Sequence, residues 1–303
     1  MLRQAENRVK IEGILSEIDL KNGSFKKNGV EMESIGGIIK VKVEQTINDE
    51  VKPLEIPVHM FASKLTTKGT INPAYENIER IMNSYTSIAA AGSEDLADRI
   101  RISNGQIQMN EYYNNNKQLV SFPRITASFA TKVKKEEFEP CAEFGVTFYV
   151  ISKGYELDED GIETKKYKVT AALPQYGGKV DVIPFFSANE NVTSGISSFW
   201  NEGDTVVANG RLNFSSTVEK IARKVDFGEA QYDTRTVSVS ELLITGGTQV
   251  PLDGDAAYEE ADIREALVER KNRLENQKER DIERRATKTS TPSATGGLSD
   301  LGF

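Results

Sequence analysis

Tyr112 and Tyr113 stand side by side in the stretch 111–117, EYYNNNK, ahead of three asparagines and Lys117. Tyrosine rings offer flat faces on which bases stack with little regard to sequence, and carboxamides meet base edges or phosphate oxygens. The chemistry on offer is non-covalent. A second stretch, 215–232, interleaves Lys220, Arg223, Lys224, Phe227 and Tyr232 over a span long enough for a functional loop. A third, 21–29, reads KNGSFKKNG and sets Phe25, Lys26 and Lys27 between two Asn-Gly turn signals. Alternating runs add cations on one face: Lys40 and Lys42 in one, Lys166 and Lys168 in another, with Arg124 and Arg211 each in a further run.

Covalent chemistry has no comparable footing. His59 is the only histidine and Cys141 the only cysteine, so neither a catalytic triad nor a Cys-His pair assembles from chain logic. No Gly-rich stretch ends in Gly-Lys-Ser/Thr, and no dinucleotide fingerprint follows a strand. Metal-ligand spacing is missing too, since the acidic turn at 158–161 lacks the ligand ladder of a calcium loop. The expectation is a non-enzyme without cofactor or metal, in which His59 is a packed or half-exposed strand residue.

Charge narrows the partner. With 46 acidic against 38 basic residues the net charge is -8, unlike the basic domains that grip duplexes mainly by neutralising phosphates. Single strands need only a local groove, because each stacked base contributes about 1 to 3 kcal/mol. One cysteine excludes an intramolecular disulfide, no apolar run nears the about 18 residues of a membrane span, and the start MLRQAENRVK has no apolar signal core. A cytoplasmic protein without a membrane partner is expected.

The elements that must position these residues fall into two halves of the same order. The first has strands at 9–18, bent at Gly13, at 35–43, and at 54–61, where Pro57 points to an edge or bulge. Asn72-Pro73 then opens a helix with Ile78, Ile81, Met82 and Tyr85 at helical spacing. Strands at 99–109, interrupted by Gly105, and at 122–133 follow, and a charged linker at 134–140 closes the half. The second half repeats this with strands at 144–151, 165–173 and 179–186, a helix at 191–200, and strands at 205–214, interrupted by Gly210, and 234–245. Trp200 falls on the helix's apolar stripe and reads as core.

The passage FWNEGDTVVANGRLNF, helix into Gly-Asp turn into bent strand, resembles the helix-to-fourth-strand passage of an OB-fold, and DRIRISNGQIQM repeats its strand. That resemblance implies a mainly β protein of two tandem five-stranded OB-like barrels, over 1–138 and 139–250. A long charged helix is expected over 251–288, with Ile263, Leu267 and Leu274 too sparse for a coiled-coil seam. A flexible linker and tip fill 289–303.

Barrels, polar linker and a terminus carrying Asp300, Leu301 and a final Phe303 together resemble the layout of bacterial and phage single-stranded DNA-binding proteins. The resemblance implies a phage-encoded protein that coats single-stranded DNA during replication, recombination or repair. It also implies that Asp300, Leu301 and Phe303 dock onto replication or recombination proteins. A different class stays open: a non-catalytic protein-interaction or structural barrel protein, favoured by the net acidity and the long charged helix, since fold alone does not assign function.

Overall fold

The computed structural model describes residues 2–27, 29–47, 50–114, 116–158, 160–223 and 231–289, with backbone alone at 27, 47, 50, 216–223, 231, 235–238 and 281–289. The chain is mainly β. In order it forms β1 (Asn7–Lys27), β2 (Val30–Ile47), β3 (Glu50–Ser63), α1 (Pro73–Ser84), α2 (Ile88–Ala91), β4 (Arg99–Tyr113), β5 (Leu119–Thr126) and β6 (Thr131–Lys132). It continues with β7 (Cys141–Leu157), β8 (Glu163–Pro174), β9 (Val180–Ser187), α3 (Glu190–Phe199), β10 (Thr205–Arg223), β11 (Gln231–Gly247) and α4 (Glu260–Thr289).

All eleven strands belong to one hydrogen-bonded sheet. Within it the pairings run in two circuits. β1 pairs β2, β2 pairs β3, β3 pairs β5 in parallel, β5 pairs β4, and β4 returns to β1. The second repeats the pattern through β7, β8, β9, β11 and β10, again with one parallel step, β9 to β11. Residues 7–12 of β1 pair with 141–146 of β7 and join the circuits.

Alternation sends one face of each strand inward. Ile39, Val41, Leu54, Ile56, Ile100 and Ile107 are fully buried, and α1 adds Ile78 and Ile81. Asn72 caps α1 by accepting from Ala74 N at 3.0 Å, as the Asn-Pro signal predicts. In the second half Phe148 stacks on Phe185 at 5.0 Å and meets the Trp200 ring edge-on at 5.9 Å. Trp200 is core, as expected, and its Nε1 donates to Thr248 O at 2.7 Å. Close backbone approach explains two glycines: a Cβ on Gly13 would overlap Lys42 O, and one on Gly210 would overlap Leu243 O and the Phe144 ring. A register shift lies beside each, between Leu15 and Glu17 and between Asn209 and Gly210.

Three expected loops are largely strand. β1 runs through Asn22-Gly23, paired with Ile35 and Ser34, to Lys27, and the turn falls at the second Asn-Gly signal, where Gly29 takes φ 79. β4 includes Glu111, Tyr112 and Tyr113, paired with Ser121, Val120 and Leu119, so that the turn shrinks to 114–118. β10 continues through Arg223 and β11 begins at Gln231, so that the described residues of the 215–232 stretch, 215–223 and 231–232, are paired strand. In each case cross-strand ladder bonds satisfy backbone groups that a loop would leave to water.

Helix α4 packs one face on the sheet, although Ile263, Leu267 and Leu274 are too sparse for a coiled-coil seam. Ile263, Ala266 and Leu274 are buried, and Arg270, 18% exposed, pairs with Glu111, 7% exposed, on β4. Gln277 Nε2 adds a hydrogen bond to Glu111 O at 2.8 Å. The stripe 263, 266, 270, 274, 277 follows helical spacing, but two of its members are Arg and Gln, so hydrophobicity alone hides it.

Where the circuits meet, the buried Glu12 carboxylate takes Arg101 Nε at 2.6 Å and Glu139 N at 2.7 Å. Burial pushes that carboxyl's pKa up, but the Arg101 hydrogen bond, the Glu139 N–H and nearby positive charge together hold it below the ordinary carboxylate value.

Candidate nucleic-acid interface

The outward face of the first circuit follows from register. Phe61 lies opposite Gly36, and His59 lies between Ile38 and Thr126. Arg124 lies opposite Gln108, and Phe122 opposite Asn110. Together these line a trough of about 960 Å³ walled by His59, Phe61, Phe129, Arg124, Gln106 and Gln108. Its rings are open to solvent: Phe61 is 60% exposed and Phe129 49%. Phe25 extends the row, 5.8 Å from Phe61, and Tyr112 with Phe122 extends the hairpin end of the same face, their rings edge-on at 6.4 Å.

Arg124 supplies the charge. Its Nη1 reaches Asn110 Oδ1 at 3.4 Å, its Nε is buried without a partner, and it makes no ion pair among the described residues. A permanent cation with no carboxylate partner among the described residues keeps N–H donors for an anion, and charge-assisted bonds to phosphate are among the stronger hydrogen bonds. His59 shares the trough. Burial, and then the Arg124 charge, lower its pKa, so the imidazole is neutral near pH 7.

The second circuit has a trough of about 980 Å³ walled in part by Tyr155, Lys166, Tyr167, Phe186, Asn213 and Glu241, with Lys52 of the β2–β3 hairpin at its side. Of its three lysines, Lys52, Lys165 and Lys166, the last is already answered. Lys166 pairs with Glu241, whose other oxygen accepts from Asn213 Nδ2 at 2.8 Å, and the Lys166 Nζ lies 5.7 Å from the Phe186 ring centroid.

The residues singled out in the sequence separate accordingly. Phe25, Tyr112 and Arg124 belong to the first outward face. Lys26 and Lys117 are exposed near hairpin ends, Lys117 with φ 60. Lys40 and Lys42 face outward but hold carboxylates: Lys40 with Glu17 at 2.6 Å and Glu55 at 3.8 Å, Lys42 with Glu94. Tyr113 points to the other face of β4, half-buried, with Lys278 Nζ 5.6 Å from its ring centroid. Arg211 donates to Thr46 O at 2.8 Å and ties the β2–β3 hairpin to the second circuit. Lys168 is half-buried opposite Phe186, and Tyr232 is exposed on β11. Lys27, Lys220 and Arg223 are placed by backbone alone, while Lys224, Phe227, Asp300, Leu301 and Phe303 lie outside the described residues.

Phe61, Phe122, Phe129, Gln106 and Gln108 are the members that motif reading missed. Their signal was parity: Phe122, Arg124 and Thr126 alternate on β5, as do Gln106, Gln108, Asn110 and Tyr112 on β4. No group of three or more metal-ligating side chains occurs among the described residues. No described helix is long and apolar enough to cross a membrane.

The YorF family model matches residues 5–280. The chain belongs to the YorF family. No curated protein matches it in sequence. Among solved structures it is similar to a deletion mutant of the single-stranded DNA-binding protein from Thermus aquaticus, at 10% identity and a TM-score of 0.49, covering 83% of this chain and 97% of that one. The wild-type Thermus aquaticus protein gives 12% identity and a TM-score of 0.45, with 86% and 99% covered. A Replication Protein A heterotrimer bound to single-stranded DNA gives 10% and 0.24, with 78% and 49% covered. At these values the likenesses carry no functional argument.

Proposed function

We propose that the protein binds single-stranded DNA, without catalysis, across the trough of the first circuit. The observation that carries this is Arg124, a cation without a carboxylate partner among the described residues, set in a row of solvent-open rings. Phosphate satisfies the guanidinium while unpaired bases stack on Phe61, Phe129 and their neighbours. Net charge of -8 opposes non-specific duplex binding but leaves this local site intact.

Each circuit is read as one OB-like barrel, over 1–138 and 139–250, with the helix over 251–288 and a flexible tip over 289–303. Five strands closing through a single parallel step support the barrels. A phage-encoded role in replication, recombination or repair in the host cytoplasm, with Asp300, Leu301 and Phe303 recruiting partner proteins, rests on the resemblance in layout. A protein-interaction or structural role draws on Glu241, which leaves the second trough without net cationic pull.

The test is a fluorescence titration with matched single-stranded and duplex oligonucleotides over a salt series. Single-strand affinity that falls as salt rises, with duplex binding weaker throughout, is expected. No single-strand binding at low salt contradicts the proposal.

A further inference from the structure

β4 carries a carboxamide at every second position along the trough side: Asn104, Gln106, Gln108 and Asn110, ending at Tyr112. The first three line the trough. Their side-chain amides meet no partner among the described residues, and Asn110 gives only its Oδ1 to Arg124. Three carboxamides thus present both donor and acceptor to whatever fills the groove. Alternate residues of a strand lie about 6.8 Å apart, about twice the ~3.4 Å axial rise per nucleotide of a stacked duplex. That repeat suits bases pulled out of the stack one by one.

A groove built for sequence-blind binding has little use for this row. Cations and rings suffice there, yet the first trough has, among the described residues, one cation without an ion pair against three amides. A side-by-side donor and acceptor on a carboxamide matches adenine, which offers N6–H and N7 together, with two hydrogen bonds. A base whose edge mismatches leaves the amide desolvated and unpaired.

Building on the single-strand binding above, we propose that Gln106 and Gln108, flanked by Asn104 and Asn110, make the first trough selective for adenine-rich single strands. The Phe61 and Phe129 rings hold the extruded bases while the amide row reads their edges. Arg124 fixes the backbone beside them.

The experiment titrates the full chain with fluorescent oligo-dA, oligo-dT and oligo-dC of equal length, with oligo-rA as a fourth arm to separate DNA from RNA. The wild type is expected to bind oligo-dA about tenfold more tightly than oligo-dT. The double variant Gln106→Met, Gln108→Met keeps side-chain length and removes the amides. It is expected to bring the ratio of oligo-dA to oligo-dT affinity from about ten to about one. Wild-type affinity equal for oligo-dA and oligo-dT, or higher for oligo-dT, overturns the amide row while single-strand binding stands. Failure to bind any single strand overturns the proposed function and the selectivity with it. The wild-type comparison decides even where the double variant does not fold.

Discussion

Next to the inward pair Ile107–Ile125, the first trough carries Arg124 opposite Gln108; next to the inward pair Leu212–Leu242, the second carries Glu241 opposite Asn213. The same register therefore presents an unanswered cation in one half and a carboxylate in the other. The neighbouring rings differ in part: Tyr155 is as open as Phe129, but Tyr167 beside it is buried, whereas Phe61 and Phe129 are both open. One backbone pattern thus supports two surfaces of different appetite, set by a few outward positions that the core does not constrain.

Reversing the charge in the first trough breaks the comparison most severely. Arg124→Glu gives it the sign of the second and is expected to weaken oligonucleotide binding by about a hundredfold, roughly 3 kcal/mol, in a fluorescence titration. Circular dichroism should stay unchanged, because Arg124 makes no ion pair among the described residues. Removing one open ring has a smaller effect. Phe61→Ala is expected to cost about 1 to 2 kcal/mol of affinity, whereas Tyr155→Ala in the second trough leaves affinity where it was.

Much of this architecture is readable from alternation and punctuation. The Asn72-Pro73 helix start, the need for glycine at Gly13 and Gly210, and the burial of Trp200 all stand where local signals put them. The lengths of the hairpin arms are not readable, because Asn22-Gly23 and Asn28-Gly29 carry the same turn chemistry and only the ladder chooses between them. The site itself is non-local. Phe61 and Arg124 lie more than sixty positions apart and become neighbours only through the parallel pairing of Val58 with Ile125. The ion pairs of Lys40 and Lys42 are hidden for the same reason: their carboxylate partners, Glu17, Glu55 and Glu94, come from other segments.

Two gentler changes sharpen the contrast. Glu241→Gln frees Lys166 and makes the second trough more like the first. With Lys166 half-exposed, the expected gain in single-strand affinity is about threefold, in line with the modest worth of such pairs. Titration of His59 gives the smallest effect. Its folded pKa lies below the ordinary value, so the unfolded chain takes up a proton first and the fold loses stability as pH falls through about 6.5. The loss stops once pH drops below the folded value. Urea midpoints measured across that window are expected to decline less in His59→Gln than in the wild type.

Photo-crosslinking of a single-stranded oligonucleotide to the whole chain, with the adducts mapped by mass spectrometry, tests most directly which trough holds nucleic acid. Adducts on Phe61, Phe129 or Phe122 are predicted. Adducts confined to Tyr155 and Phe186, or none above a duplex control, would contradict the assignment of binding to the Arg124 trough.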